Sequence, residues 1–177
     1  MIKYSLEHSF IAMPNNQPTS AISFALKLLS LRNHSQHELE RKLLKKGYPL
    51  ENIKSVMEKL AAEGILDDKK FSMELIRGRS KRKPSGKLIL TAELKKRGVS
   101  DTITQELLNG YASAELCHNA AQKKIASLHG VTECDQKKKL VTFLRNRGFG
   151  WQEIQAVLKN IFGSSPENEE PFQEISP

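Results

Sequence analysis

Three glycines, Gly47, Gly98 and Gly148, stand 51 and 50 residues apart, and the residues around them fall into matching columns. Leu39, Leu90 and Leu140 come eight residues before the glycine, and Leu43, Leu94 and Leu144 four before. Tyr48, Val99 and Phe149 follow it directly. Val56, Leu107 and Val157 lie nine after, Met57, Leu108 and Leu158 ten after, and Leu60, Tyr111 and Ile161 thirteen after. Seven columns agreeing at one period mark an internal repeat of about 50 residues.

The columns also say what each repeat is made of. Leucines four apart, a glycine and an apolar residue after it describe a helix ending in a left-handed cap, with the apolar residue folding back onto the last turn. A second helix then runs to the last column. Such a pair cannot bury both of its apolar faces, so a preceding helix is needed, over about 19–32, 68–83 and 112–129. In the third of these, Ala114, Cys117, Ala121, Ile125 and Leu128 share one face. Ser35-Gln36-His37-Glu38 predicts a capping box opening the helix that stops at Gly47, with hydroxyl and carboxylate each satisfying a backbone N–H. Asp67 and Asp68 predict the start of the helix carrying Phe71, Leu75 and Ile76.

The expected fold is therefore all-α, three tandem three-helix repeats forming an elongated, curved array in which each repeat packs mainly on its neighbour. The chain divides into a flexible leader (1–17), repeat 1 (18–65), a basic repeat 2 (66–111), repeat 3 (112–163) and an acidic disordered tail (164–177). A globule of the first 163 residues would have a radius of gyration of ~15 Å, and the array predicts a larger one.

Charge separates these segments. The whole chain carries 28 basic and 20 acidic residues, but the tail has Glu167, Glu169, Glu170 and Glu174 with no Lys or Arg. Residues 1–163 thus hold 28 basic against 16 acidic groups, a net +12 that seeks a polyanion. The charge is densest between Arg77 and Arg97, where Arg77, Arg79, Lys81, Arg82, Lys83, Lys87, Lys95, Lys96 and Arg97 face a single acid, Glu93.

Part of this charge needs no ligand. Lys45-Lys46, Lys95-Lys96-Arg97 and Arg145 with Arg147 precede the capping glycines, where cations offset the helix dipole by about 0.3–1 kcal/mol each. That does not explain Arg77 to Lys83, where Arg77 with Lys81 and Arg79 with Lys83 form two rows at helical spacing. These rows predict a surface for a nucleic-acid backbone or an acidic protein. Pro84-Ser85-Gly86 breaks the helix, and the N–H groups of the next one could hold a phosphate, with Ser85 as an ordinary cap the competing reading. One Trp, three Tyr and seven Phe, mostly in core columns, leave no base-stacking platform, so backbone contact is favoured over base readout.

Catalysis and metals find little support. The chain has no GxxxxGK[ST] phosphate loop. Cys117, His118, His129 and Cys134 lack the close pairs by which one turn supplies two metal ligands. His34 and His37 flank Ser35, whose hydroxyl is already assigned to the cap, and the carboxylates of Glu38 and Glu40, or of Asp67 and Asp68, point in different directions on a helix. We expect no enzyme activity, no metal and no cofactor. Two cysteines fit a reducing compartment. No apolar run approaches the roughly 20 residues that span a bilayer, and the N-terminus lacks a secretory pattern. A cytoplasmic protein without a membrane segment is expected.

With LDDKKF, the basic run, PSG, ELKKRGV, RNHSQHELERKLLKKGY, and FLRNRGF with Ile154 and Val157 in hand, the sequence resembles the RecX family over about residues 19–162. The resemblance implies three tandem three-helix repeats and a modulator, usually negative, of the RecA recombinase. It implies a ligand of the RecA–DNA filament that lies in the filament groove and lowers ATP hydrolysis, strand exchange and coprotease activity. It supplies no catalytic residue. The binding set therefore rests on charge: Arg77, Arg79, Lys81, Arg82, Lys83, Lys87, Lys95, Lys96, Arg97, Arg145 and Arg147, acting on RecA, on single- or double-stranded DNA backbone, or on both, in a monomer. The alternative is a free-standing nucleic-acid-binding helical protein working through phosphate contacts, and a weaker one is an interaction scaffold. The acidic tail is expected to compete with DNA for the basic body.

Overall fold

The computed structural model describes residues 20–163. The predicted leader, 1–17, and the acidic tail lie outside the described residues. Within them are nine helices: α1 (Ala21–Leu31), α2 (Gln36–Lys46), α3 (Leu50–Ala62), α4 (Asp68–Arg82), α5 (Lys87–Lys96), α6 (Asp101–Asn109), α7 (Ser113–Ile125), α8 (Glu133–Arg145) and α9 (Trp151–Phe162). Helix pairs that pack along their length belong to one triplet, α1–α3, α4–α6 or α7–α9. The fold is an all-α helical repeat.

Each repeat glycine ends its helix in the predicted manner. Gly47, Gly98 and Gly148 have φ of 89°, 76° and 75°, a region costing any other residue roughly 1–2 kcal/mol. The N–H of the next residue turns back to the helix: Tyr48 to Leu43 O (3.4 Å), Val99 to Leu94 O (3.1 Å) and Phe149 to Leu144 O (3.2 Å). Orphan carbonyls are thereby satisfied and the apolar plug is directed inward. Leu39, Leu43, Leu90, Leu94, Leu140 and Leu144 are all fully buried.

The described residues form three cores. The first gathers Ala25, Leu39, Leu43, Ile53 and Leu60, and it takes Leu66 from the following linker. The third gathers Cys117, Ala121, Leu140, Leu144, Phe149, Ile154 and Val157. The central one is the smallest, with Phe71, Leu94 and Val99 at its heart. One core column escaped the sequence reading: Ile53, Thr104 and Ile154, six after each glycine, are all buried. Thr104 disguises it, and its hydroxyl is satisfied by donating to Ser100 O at 3.0 Å.

The repeats meet at helix ends. The Ser35 hydroxyl at the start of α2 donates to Arg97 O at the end of α5 (2.6 Å). At the start of α5, Gly86 N donates to Arg147 O (2.7 Å) and Leu88 N to Gly148 O (3.2 Å). Helices α8, α5 and α2 therefore follow one another tail to head, the spare carbonyls of one end meeting the spare donors of the next, with dipoles aligned. A Cβ on Gly98 would fall 2.4 Å from His37 Cβ, and one on Gly148 2.6 Å from the Ile89 backbone N. At Gly47, where no other repeat docks among the described residues, it would meet nothing within 4 Å.

Several local expectations change. Ser35 accepts from Glu38 N as predicted, but the Glu38 carboxylate does not complete a capping box. Two guanidinium groups, Arg32 (3.0 Å) and Arg97, take it instead. Helix α4 ends at Arg82, leaving Lys83 extended at φ −150° ahead of Pro84. Helix α7 stops at Ile125, short of residue 129. The turn after α8 takes part of the α5 N-terminus that a phosphate would need, Arg147 O and Gly148 O accepting from Gly86 N and Leu88 N. The N-cap of α5 is Gly86, and Ser85 donates to Lys83 O (2.9 Å).

Candidate functional site

The two aspartates of the LDD sequence divide the work of fixing α4. Asp67 is the N-cap, accepting from Lys69 N (2.8 Å) and Lys70 N (3.1 Å). Asp68 reaches to the first repeat and accepts from Gln36 N (2.8 Å), satisfying a free donor at the start of α2. Helix α4 is thus tied to the start of α2, and Phe71 and Ser72 are buried beneath it. Between α4 and the first repeat a cleft of about 670 Å³ remains.

Five cations line this cleft: Arg32 from the α1–α2 linker, Arg79 and Arg82 from α4, Lys83 beyond it, and Arg97 at the end of α5. They face two carboxylates, Glu74 and Glu93, with Phe71 and Leu75 as apolar floor. An alternating ladder crosses the joint. Arg32 and Arg97 share Glu38, and Arg97 (3.5 Å) and Arg79 (2.7 Å) share Glu93. Three guanidiniums on two carboxylates leave positive charge over. Burial alone would push the Glu38 carboxyl up, but the hydrogen bonds and charges of Arg32 and Arg97 outweigh it and hold the pKa below its ordinary value. Glu93 in turn raises that of Arg79.

Arg82 and Lys83 differ from these arginines. Both are exposed; the Arg82 Nε donates only to Gly78 O (3.2 Å), and neither has an ion pair among the described residues. They stand at the cleft with their charge unspent. A concave surface with pre-oriented guanidiniums inside and exposed cations at its edge suits phosphate or carboxylate groups, which the Arg fork binds through two parallel hydrogen bonds.

Of the eleven cations singled out by sequence, Arg79, Arg82, Lys83 and Arg97 come together here. The two rows of α4 separate: Arg79 with Lys83 faces the cleft, while Arg77 and Lys81 are exposed elsewhere. Lys87, Lys95, Lys96 and Arg145 are exposed and outside it. Arg147 is half-buried at the joint and donates to Pro84 O (3.1 Å). Arg32 and Asn33 were missed. Their only signal was their place immediately before the His34-Ser35 cap, where a linker turns from one helix to the next.

The residues weighed for other chemistry are committed. The Ser35 hydroxyl donates to Arg97 O and accepts from Glu38 N. His34 is buried, with Nε2 2.7 Å from the Lys42 ammonium and Nδ1 2.9 Å from Arg32 O. An ammonium only donates, so Nδ1 carries the proton and the ring is neutral. Burial lowers its pKa. Cys117 lies in the third core and Cys134 is exposed. Among the described residues no cluster of His, Cys, Asp or Glu could hold a metal ion, and no helix is long and apolar enough to cross a membrane.

Comparison with known proteins agrees with this architecture. Residues 21–60 match the family model for the RecX first three-helix domain, and residues 67–108 that for the RecX second three-helix domain. The chain is 55% identical over 159 residues to the regulatory protein RecX of Pelodictyon phaeoclathratiforme, covering 90% of this chain and 99% of that one. It is 40% identical over 151 residues to that of Chlorobaculum tepidum, covering 85% and 94%, and 31% identical over 137 residues to that of Mycobacterium tuberculosis, covering 73% and 79%. The crystal structure of RecX from Lactobacillus salivarius superposes with a TM-score of 0.74 at 21% identity, over 80% of this chain and 94% of that one.

Proposed function

The chain belongs to the RecX family, and from that premise we propose that it is a non-enzymatic modulator of RecA that binds the RecA–DNA filament and lowers its ATPase, strand-exchange and coprotease activities. It acts in the cytoplasm as a monomer. The observation that carries the reading is the cleft between the first two repeats, where Arg32, Arg79 and Arg97 are aligned by Glu38 and Glu93 while Arg82 and Lys83 keep free charge. A filament offers both kinds of anion that such a cleft accepts: DNA phosphates and protein carboxylates.

RecA's DNA-dependent ATPase, measured with and without this protein, is the direct test. Stoichiometric protein is expected to depress the rate, and Arg82→Glu with Lys83→Glu to relieve that depression. Arg79 and Arg97 are poor choices for charge reversal, because each would place a third carboxylate in the ladder and disturb the joint. An unchanged ATPase at stoichiometric wild-type protein would overturn the proposal.

A further inference from the structure

A second basic groove lies in the third repeat, away from the cations that line the first cleft. It encloses about 340 Å³ between α7 and α8 and is lined by Lys124, Lys138, Lys139, Thr142, Phe143 and Asn146. No carboxylate lines it. In the run Lys137-Lys138-Lys139, Lys137 is neutralised by Glu133 at 2.8 Å. Lys138 and Lys139 have no ion pair among the described residues and are exposed.

The groove's wall is organised around one ring. Lys124 Nζ stands 5.6 Å from the Phe143 centroid and the Arg147 guanidinium 4.7 Å from it, so the ring's negative face holds both cations in place. Arg147 also donates to Pro84 O at 3.1 Å. Pro84 directly follows Lys83, which lines the first cleft. Lys83, Pro84, Arg147 and Phe143 thus form an unbroken bridge from one basic surface to the other.

We infer that the third-repeat groove is a second nucleic-acid site, in which Lys124, Lys138 and Lys139 bind phosphates of a single strand that continues past Arg147 into the cleft of repeats 1 and 2. A nucleic-acid strand is favoured over an acidic protein by two features. The lysines are compact point charges without facing acids, the arrangement that a regularly spaced phosphate chain neutralises. The bridge makes the two surfaces one track, and only a long polyanion engages both at once. The inference needs no RecA, but it rests on the reading of the first cleft as an anion-binding surface.

The test is fluorescence anisotropy of full-length protein with labelled oligothymidylate across a salt series. Lys124→Gln, Lys138→Gln and Lys139→Gln together remove up to three phosphate contacts, so the slope of log K against log salt should fall by about 2, from ~0.7 per contact on single strands. Affinity for a strand of about 30 nucleotides should drop about tenfold or more, because linked sites gain effective concentration. On strands of about 8 nucleotides, within the 4–16 that one small module covers, the stoichiometry should fall from two per protein to one. Lysine footprinting of the unaltered protein supplies a readout that depends on no variant: DNA should protect all three lysines from acetylation. An unchanged slope and affinity, or unprotected lysines, would overturn the inference. So would a triple variant that binds DNA normally but no longer depresses RecA ATPase, since the groove would then take protein. Loss of DNA binding only in Arg82→Glu with Lys83→Glu would leave the first cleft as the sole site and likewise remove the inference.

Discussion

Replacing each repeat glycine by alanine separates what the helix cap requires from what the joint requires. All three glycines have positive φ, so each variant should lose roughly 1–2 kcal/mol from the left-handed backbone alone. Gly47→Ala adds nothing more, since a Cβ there meets no atom within 4 Å. In Gly148→Ala the new Cβ lands 2.6 Å from the Ile89 backbone N, well inside the roughly 3.5–4.0 Å at which such atoms rest. A backbone atom cannot swing aside, so α8 must back away from α5. The bonds from Gly86 N to Arg147 O and from Leu88 N to Gly148 O weaken with it, at about 1 kcal/mol each. The expected total is roughly 3–5 kcal/mol for Gly148→Ala, somewhat less for Gly98→Ala, and about 1–2 for Gly47→Ala. Urea unfolding followed by helical circular dichroism measures the series. Fluorescence of Trp151, the only tryptophan and three residues beyond Gly148, reports the third repeat separately. Equal losses at all three positions, within about 0.5 kcal/mol, would refute the end-to-end joint.

Other consequences are simpler to read. Burial, with a contribution from Glu153, pushes the Cys117 thiol up to about 12, so iodoacetamide should label exposed Cys134 in the native protein and reach Cys117 only after unfolding, as mass spectrometry would show. Stability should fall on acidification in two stages. The His34 pKa lies below its ordinary 6.5, so the unfolded chain takes up that proton first, and stability declines as pH drops below 6.5 until the lower folded value is passed. The Glu38 pKa lies below its ordinary 4.5, so its contribution is complete above that pH and vanishes as pH falls through the folded value. Thermal melts of Glu38→Gln should lack the second stage and show a loss of about 1–3 kcal/mol at neutral pH; a variant as stable and as acid-sensitive as wild type would contradict the Arg32–Glu38–Arg97 assignment. Small-angle scattering should give a radius of gyration clearly above the ~15 Å of a globule of this size, and the globular value would remove the array.

The repeat was legible because the residues that define it answer to local rules. A left-handed glycine, two leucines on one turn spacing and an apolar plug can be recognised without knowing what they pack on. Thr104 shows where that legibility ends, since a buried threonine satisfied by its own helix resembles a surface residue. The cleft was half legible. Arg79, Arg82 and Lys83 stand out as unrelieved charge, but Arg32 and Arg97 join them only because Ser35, Glu38 and Asp68 carry contacts across a joint spanning 32 to 62 residues of sequence. Glu38 is the clearest case. Its position suits a local cap, and two arginines outbid the backbone for its oxygens. The third-repeat groove was illegible for a related reason, as Lys124 and Lys139 lie on different helices and the acids beside Lys137 make the run look balanced.

The joints have a consequence for how such a chain lengthens. At the α8–α5 joint the central contacts are backbone carbonyls meeting backbone donors over a glycine, and at the α5–α2 joint the Ser35 hydroxyl takes the donor's place. A duplicated repeat would carry a complete socket at one end and a complete plug at the other, so it could be spliced in without inventing an interface. Insertions of a few residues within a middle helix would instead rotate the plug away from its socket. Length change in this architecture is therefore quantised in whole repeats.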